Sequence, residues 1–321
     1  MSPMSSAEPT HFACPICTSS KGRWVTESNG LRVARCIDCG HGYVWPVPVT
    51  DFLDSIYDEA YYKGGHGSFG FTDYASLEPA RRRMFARYLV RIESMTSVGR
   101  ILDVGCANGD FLKMARDRGW RVCGADPSAA RPQVEAKGIE LVGTTVHDAQ
   151  VEAGSLDVIT FWDVLEHVTD PVADLSRAAE LLRPNGVIAL TVPNSVNLLA
   201  RISGHRWFGY QTAGEHLQFF TGESLARALA KSGLAVKLQR PTTWSCTIGY
   251  LADRAGLYLG PPGRMARAML SSPRVASAVV DMPQINQLAV GVRAPDSTPV
   301  AQGATPGSAA TTATTRRSVR A

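Results

Sequence analysis

Two cysteine pairs, Cys14-x2-Cys17 and Cys36-x2-Cys39, have 18 residues between them. Each tight pair can turn two thiolates to one side, and two such pairs can close a tetrahedral site around one zinc ion. Four sulfur ligands leave no open position, so such an ion would be structural. His11 and His41 stand nearby as spare ligands. A redox dithiol is the other chemistry open to a C-x-x-C pair, and two regularly spaced pairs favour the metal. Residues 11–48 offer too small a core to fold alone, so the ion would supply folding energy. Cys106, Cys123 and Cys246 lie in apolar surroundings. Seven cysteines with no secretory leader point to a reducing, cytoplasmic compartment rather than a disulfide scaffold.

A second group of residues could cradle a ligand. In Ile101-Leu102-Asp103-Val104-Gly105-Cys106-Ala107-Asn108-Gly109-Asp110, an apolar run ends in small residues and a helical pattern follows at once. Gly105 and Gly109 allow tight turns and close backbone approach, and a helix start offers free N–H groups. A dinucleotide fingerprint needs glycine at 105, 107 and 110. The chain has Gly105, Ala107 and Asp110, and an aspartate fits poorly where a pyrophosphate packs. Asp126 follows Gly105 by 21 positions and ends the next apolar run. An acidic group there can accept hydrogen bonds from ribose hydroxyls.

A third group could move a proton. His167 and His216 each follow a glutamate, Glu166 and Glu215. Imidazole titrates near neutral pH and suits general-base work on a hydroxyl. Either glutamate could orient a neighbouring ring. The structural alternatives stay open: His167 could pin the start of the helix at Pro171, and His216 could tie a loop to the core.

The elements that must position these groups alternate strand and helix. Apolar runs at 100–104, 121–125, 139–143, 157–162 and 186–192 are separated by helical patterns at 110–118, 129–137 and 171–182. Short apolar strands between helices indicate a parallel sheet covered on both faces. Asp170-Pro171 reads as a helix cap, Pro184-Asn185-Gly186 as a turn, and Thr221 as the cap of a helix ending at Gly233. Strands at 234–239 and 287–292 complete a doubly wound, mostly parallel, seven-stranded Rossmann-like α/β fold, with a mostly helical insertion at 248–280. The expected layout is a disordered segment 1–10, a zinc-binding segment 11–48, a linker and helix at 49–98, the α/β domain at 99–294 and a disordered tail at 295–321.

Asp-x-Gly-x-Ala-x-Gly over 103–109 resembles the first motif of class I S-adenosylmethionine-dependent methyltransferases, with Ala107 in place of the usual middle glycine. Asp163-Val164-Leu165-Glu166-His167-Val168-Thr169-Asp170-Pro171 resembles a group that includes the ubiquinone-pathway O-methyltransferases. Leu182-Arg183-Pro184-Asn185-Gly186 is similar to that group's "L-K-P-G-G" turn, and Gly214-Glu215-His216-Leu217-Gln218-Phe219-Phe220-Thr221 to its "E-H-x-x-x-F-T" segment. The resemblance covers about residues 99–238 and speaks to fold and cofactor. It implies S-adenosylmethionine held by Asp103, Gly105, Cys106, Ala107, Gly109, Asp126, Asp148 and Asp163, with Asp148 near the adenine amine. It also implies a lid over the cofactor near Tyr61 and Tyr62, with ordinary aromatic packing as the other role open to these two rings.

The acceptor is less constrained. The net charge is +4, and Arg316, Arg317 and Arg320 against Asp296 place +2 of it in the tail, leaving +2 for the rest. That is little for a phosphate-neutralising surface, so nucleic acid is disfavoured as a partner. No apolar run reaches the roughly 18 residues that would read as a membrane span. The expected function is O-methylation, or C-methylation, of a small-molecule, sugar or glycan-type acceptor. The alternatives are an RNA methyltransferase guided by the zinc segment and a non-enzymatic S-adenosylmethionine-binding protein.

Overall fold

The computed structural model describes residues 11–48, 75–127 and 131–294. The expected lid residues Tyr61 and Tyr62, the segment 1–10 and the tail 295–321 lie outside them.

The cysteine segment forms a hairpin and one further strand: β1 (Gly22–Ser28), β2 (Leu31–Cys36) and β3 (Gly42–Val44). Asn29 and Gly30 join β1 to β2 with φ of 53° and 74°, the left-handed pair that a two-residue hairpin turn demands. β1 pairs with β2, and β2 with β3, all antiparallel.

Helix α1 (Glu78–Glu93) leads into the main sheet and buries Met84, Phe85, Tyr88, Leu89 and Ile92. The parallel strands are β4 (Arg100–Val104), β5 (Arg121–Ala125), β6 (Glu140–Gly143), β7 (Leu156–Trp162) and β8 (Leu182–Pro193). Helices α2 (Asp110–Arg116), α3 (Arg131–Ala136) and α4 (Pro171–Leu181) connect them. Asp170 caps α4 by accepting from Ala173 N at 2.9 Å, as its sequence implies.

After β8 come α5 (Leu198–Ser203), α6 (Phe208–Gln211), the two-residue β9 (Gln218–Phe219) and α7 (Gly222–Lys231). Thr221 and Ser224 form a reciprocal capping box on α7, and Gly233 follows it at φ 73°. The long strands β10 (Leu234–Thr247) and β11 (Val279–Arg293) flank α8 (Ile248–Tyr258), α9 (Gly260–Met269) and α10 (Pro273–Ala276), which fill the expected insertion.

The seven strands lie in the order β10-β11-β8-β7-β4-β5-β6, with β11 antiparallel to both neighbours. The order reverses between β4 and β7, the crevice where open α/β sheets take ligands. Val104 is level with Ala125 and Phe161, and Trp162 with Thr191, so the carboxyl ends share one edge.

One expectation needs correction. The turn at Pro184-Asn185-Gly186 does not precede the fifth parallel strand but lies inside it. Leu156 pairs with Leu182, Val158 pairs with Val187, and the residues between bulge outward with Asn185 at φ 64°. The turn chemistry is real, and the ladder continues past it.

The cysteine segment is not a separate unit. β3 pairs with β9, making a four-stranded sheet β1-β2-β3-β9. Cys14, Ile16, Cys36 and Tyr43 share one buried apolar cluster with Leu102, Phe161 and Phe220 of the α/β core. The Ile, Leu and Phe side chains among these contribute roughly 1.5–3 kcal/mol each when fully buried. Among the described residues no helix is long and apolar enough to cross a membrane.

Candidate active site

The loop after β4 takes its shape from three left-handed residues: Gly105 at φ 71°, Ala107 at 46° and Gly109 at 77°. Ala107 therefore keeps the conformation that the usual glycine supplies. Its N–H donates to Asp126 Oδ2 at 2.7 Å, which ties this loop to the end of β5. A Cβ at Gly105 would stand 2.5 Å from Val164 Cγ2, so glycine there lets the loop seat against the Asp163–His167 segment. Asp110 is turned away to an ion pair with Arg81 at 2.8 Å and another with Lys137 at 2.7 Å. Those cations explain an aspartate where a dinucleotide site would want glycine.

The other expected cofactor residues divide by surroundings. Asp103 is buried, accepts from Thr160 Oγ1 at 2.6 Å, and has its pKa pushed up to about 8 by burial, with Asp126 adding to the rise. The Cys106 side chain is buried against Gly124, so this residue faces the loop with backbone only. The Asp148 carboxylate accepts from the backbone N–H and hydroxyl groups of Thr144 and Thr145, which fold the loop after β6 around it. These backbone bonds hold its pKa well below the usual range against the opposing effect of burial. Asp163 sits at φ 55° and accepts from Thr191 Oγ1 at 2.9 Å and Asn286 Nδ2 at 2.8 Å. Burial lifts it to about 6 against those two bonds.

Beyond Asp163, the structure brings the two candidate histidines together. The His167 and His216 rings meet edge-on with centroids 4.8 Å apart. Glu166, His167 and His216 each offer an atom within 4.8 Å of the other two, close enough to share a divalent cation. His167 Nδ1 lies 2.9 Å from the Glu215 carbonyl, which assigns its proton to that nitrogen. Burial lowers His167, and burial, with repulsion from His167 when that ring is protonated, lowers His216 well below 6.5. Glu166 is fully buried, and its Oε2 has no hydrogen-bond partner among the described residues. Burial, reinforced by Asp163 and Glu215, raises its pKa well above the ordinary value. Burial thus disfavours the charged form of all three groups.

In the cysteine segment, Cys14 Sγ and Cys39 Sγ are 3.6 Å apart, and Cys17 Sγ and Cys36 Sγ are 3.5 Å apart. All four sulfurs fall within 4.8 Å of one another and are free thiols. That spacing suits four thiolates around one tetrahedral ion. His41 points elsewhere, with its ring nitrogens 3.2 Å from Ser224 Oγ and 2.9 Å from Gln218 Oε1. Burial lowers its pKa to about 4, so it is neutral.

Sequence reasoning did not single out Gln218, Thr160, Thr191 or Asn286. Asn286 and Gln287 left one trace: two amides open an otherwise apolar run at 288–292. Gln218 left none, because its role depends on a strand pairing between distant segments.

A methyltransferase-domain family model matches residues 77–239, half of the chain. A ubiquinone biosynthesis O-methyltransferase of Cereibacter sphaeroides is 30% identical over 172 residues, spanning 48% of this chain and 68% of that protein. One from Rhodopseudomonas palustris is 30% identical over 176 residues, spanning 51% and 69%. A solved structure of a putative methyltransferase from Bacillus halodurans aligns with TM-score 0.49 and 14% identity over 65% of this chain and 98% of that one. The matched span runs from α1 to β10 and so contains the Gly105–Gly109 loop, Asp126 and the paired histidines, on a sheet whose order reverses beside that loop. The chain belongs to the class I S-adenosylmethionine-dependent methyltransferases.

Proposed function

We propose that the enzyme methylates a hydroxyl oxygen on a small or sugar-type acceptor, with His216 as the base that takes the hydroxyl proton. The carrying observation is the pair of half-buried imidazoles at the mouth of the cofactor edge, beside the buried Glu166 carboxyl group. When bound, S-adenosylmethionine supplies an electrophilic methyl group on a positively charged sulfur. Asp126 is placed for the ribose hydroxyls, and the bare backbone of Gly105, Ala107 and Gly109 lets the ligand lie close. Asp103 and Asp163 back the same edge, and the Asp148 loop borders it. His167 is committed to the Glu215 carbonyl, so it holds the Glu215–His216 segment in place. His216 then accepts the proton as the acceptor oxygen bonds to the methyl carbon. Positioning and exclusion of water supply most of the acceleration. The names of both curated relatives specify O-methyl transfer, which supports oxygen as the accepting atom. The four cysteines hold one structural zinc ion in this reading.

The test begins with calorimetric titration by S-adenosylmethionine. Wild type is expected to bind one equivalent, and Asp126→Ala to bind about 10-fold or more weakly, from lost bonds to a charged group. Methyl-labelled cofactor is then offered with phenols, catechols, free sugars, nucleotide sugars and total RNA. Label in a hydroxyl acceptor supports the proposal. Label in RNA alone would replace it with the nucleic-acid reading. Binding without transfer to any acceptor would leave a cofactor-binding protein.

A second reading makes Glu166, His167 and His216 a cation site, favoured by their mutual distances. Metal analysis separates the two. One zinc per chain, lost in Cys36→Ser and kept in His216→Ala, supports the base. A second equivalent lost in His216→Ala would favour the cation.

A further inference from the structure

One hydrogen-bonded chain runs from the cysteine segment to the backbone on both sides of His167. His41 lies two residues beyond Cys39 and is fully buried. Its ring stacks parallel to Tyr43 and packs 4.8 Å from the Phe220 ring. Gln218 Nε2 donates to the carbonyls of Val168 at 2.9 Å and Thr169 at 3.3 Å, so its Oε1 is the accepting end. His41 Nε2–H therefore donates to that oxygen, and Nδ1 accepts from the Ser224 hydroxyl. Every polar atom of the imidazole has a partner.

The same short strand grips the segment a second time through its backbone. Leu217 N and Gln218 N both donate to the Glu166 carbonyl, at 2.7 and 2.9 Å. The carbonyls of Glu166, Val168 and Thr169 are thus held by two adjacent residues, and His167 lies between the captured positions. On the other side, Val44 N donates to the Leu217 carbonyl, next to His216. Arg35 reaches Tyr210 Oη at 2.6 Å, and Asn29 Nδ2 reaches the carbonyls of Gln211 and Ala213, so the chain before His216 is tied to the cysteine segment as well.

We propose that His41 and Gln218 are positioning residues for methyl transfer, through which the cysteine segment fixes His167 and His216 against the cofactor edge. This rests on the methyl-transfer reading of the histidine pair. It gives the cysteine segment a job in the reaction itself, as a brace behind the site, and not that of a separate recognition module. A displacement of about 1 Å at a reacting pair can cost on the order of 10²-fold in rate. A link that holds three carbonyls on both sides of His167 is built to prevent such a shift.

The experiment uses the full zinc-loaded chain and two variants. His41→Phe keeps the ring packing and removes both hydrogen bonds. Gln218→Leu leaves the backbone pairing with Tyr43 and removes the side-chain donor. Three readouts are taken: metal content, calorimetric affinity for S-adenosylmethionine, and nitrogen-15 spectra of the imidazoles, assigned with His167→Gln and His216→Gln. Both variants are expected to keep wild-type zinc content and to keep cofactor affinity within about twofold, while the His167 and His216 signals shift and broaden. With a methylated acceptor in hand, kcat should fall about 10²-fold with little change in KM. Unchanged imidazole signals in both variants would overturn the proposal. So would loss of zinc or cofactor binding in both, since the pair would then only hold the fold. If wild type fails to bind the cofactor, the methyl-transfer reading falls separately, and the imidazole spectra still decide whether the link positions the pair.

Discussion

The cysteine segment and the cofactor edge reach order by different routes. In the first, short strands of three to seven residues surround four converging sulfurs, and side-chain chemistry holds the backbone. In the second, buried parallel strands hold a loop whose own side chains are nearly absent, and backbone shape makes the site. A metal-held region should fail all at once when one ligand goes. A core-held region should lose function residue by residue and keep its fold. The two meet at β9, a strand of two residues. The paired histidines sit where the failure modes join.

The sharpest way to break this contrast is to remove one thiol. Cys36→Ser should abolish zinc binding and melt the four-stranded sheet, because a structural zinc site supplies on the order of 10 kcal/mol of folding free energy. Cofactor binding should survive, since β4 to β8 pair without help from the cysteine segment. Metal analysis and calorimetric titration on the same sample read both effects. If cofactor affinity disappears with the zinc, the two regions are one cooperative unit and the contrast fails.

On the other side of β9, His216→Ala should lower methyl transfer by about 10²- to 10⁴-fold while leaving cofactor affinity and melting temperature near wild type. The pH dependence follows from the direction of its shift. Burial holds the His216 pKa well below 6.5, and the base works in its neutral form. The rate should therefore be flat through neutral pH and fall only as the pH drops well below 6.5. A rate that rises through pH 6 to 7 would mean that the proton goes to an ordinary, exposed group.

Both regions were disclosed by the sequence where their chemistry is local. The glycine loop and the cysteine pairs were legible because their chemistry is local: few residue patterns turn a strand tightly into a helix, and few bring four thiols together. The main strands were legible for the same reason, being short apolar runs with helical patterns between most of them. Two features were not. Residues 240–247 extend β10 with a mixed sequence, Arg240-Pro241-Thr242-Thr243-Trp244-Ser245-Cys246-Thr247, whose constraints are distant in sequence, its partner β11 and helix α1 through Arg87 and Met84. The pairing of Gly42 with Phe219 and of Tyr43 with Gln218 joins segments some 175 residues apart through strands too short to carry a pattern. The identity of Gln218 and His41 as a linked pair is a property of that docking, so it could not be read before it.

A smaller effect tests whether the cofactor edge carries strain in its fold for the sake of its site. Asp103 has its pKa raised to about 8 from an unfolded value of 3.8. The folded state therefore holds the proton more tightly than the unfolded chain. The stability tied to Asp103 is full below pH 3.8 and is lost progressively as the pH rises toward 8. Asp103→Asn should stabilise the protein by on the order of 1–3 kcal/mol at pH 8 and by little at pH 4, since asparagine can still accept from Thr160. Urea denaturation at the two pH values measures this. An equal effect at both would show that Asp103 is not protonated in the fold.

The smallest expected change is the most informative about backbone-made sites. Ala107 occupies φ 46°, where an L-residue is disfavoured by about 1 kcal/mol. Ala107→Gly relieves that strain but gives the unfolded chain more freedom, a loss of roughly 0.4–1 kcal/mol. The two nearly cancel, so stability should move by less than about 1 kcal/mol. The bond from the residue 107 N–H to Asp126 survives the change, because it belongs to the backbone. Affinity for S-adenosylmethionine should therefore stay within about fivefold, that is, within about 1 kcal/mol. A much larger gain in affinity would mean that the Ala107 methyl group obstructs the ligand. A much larger loss would mean that the methyl group keeps the loop in its bound shape. Either result would show a side chain governing an edge that the geometry assigns to backbone, and the division between the two regions would then rest on the cysteines alone.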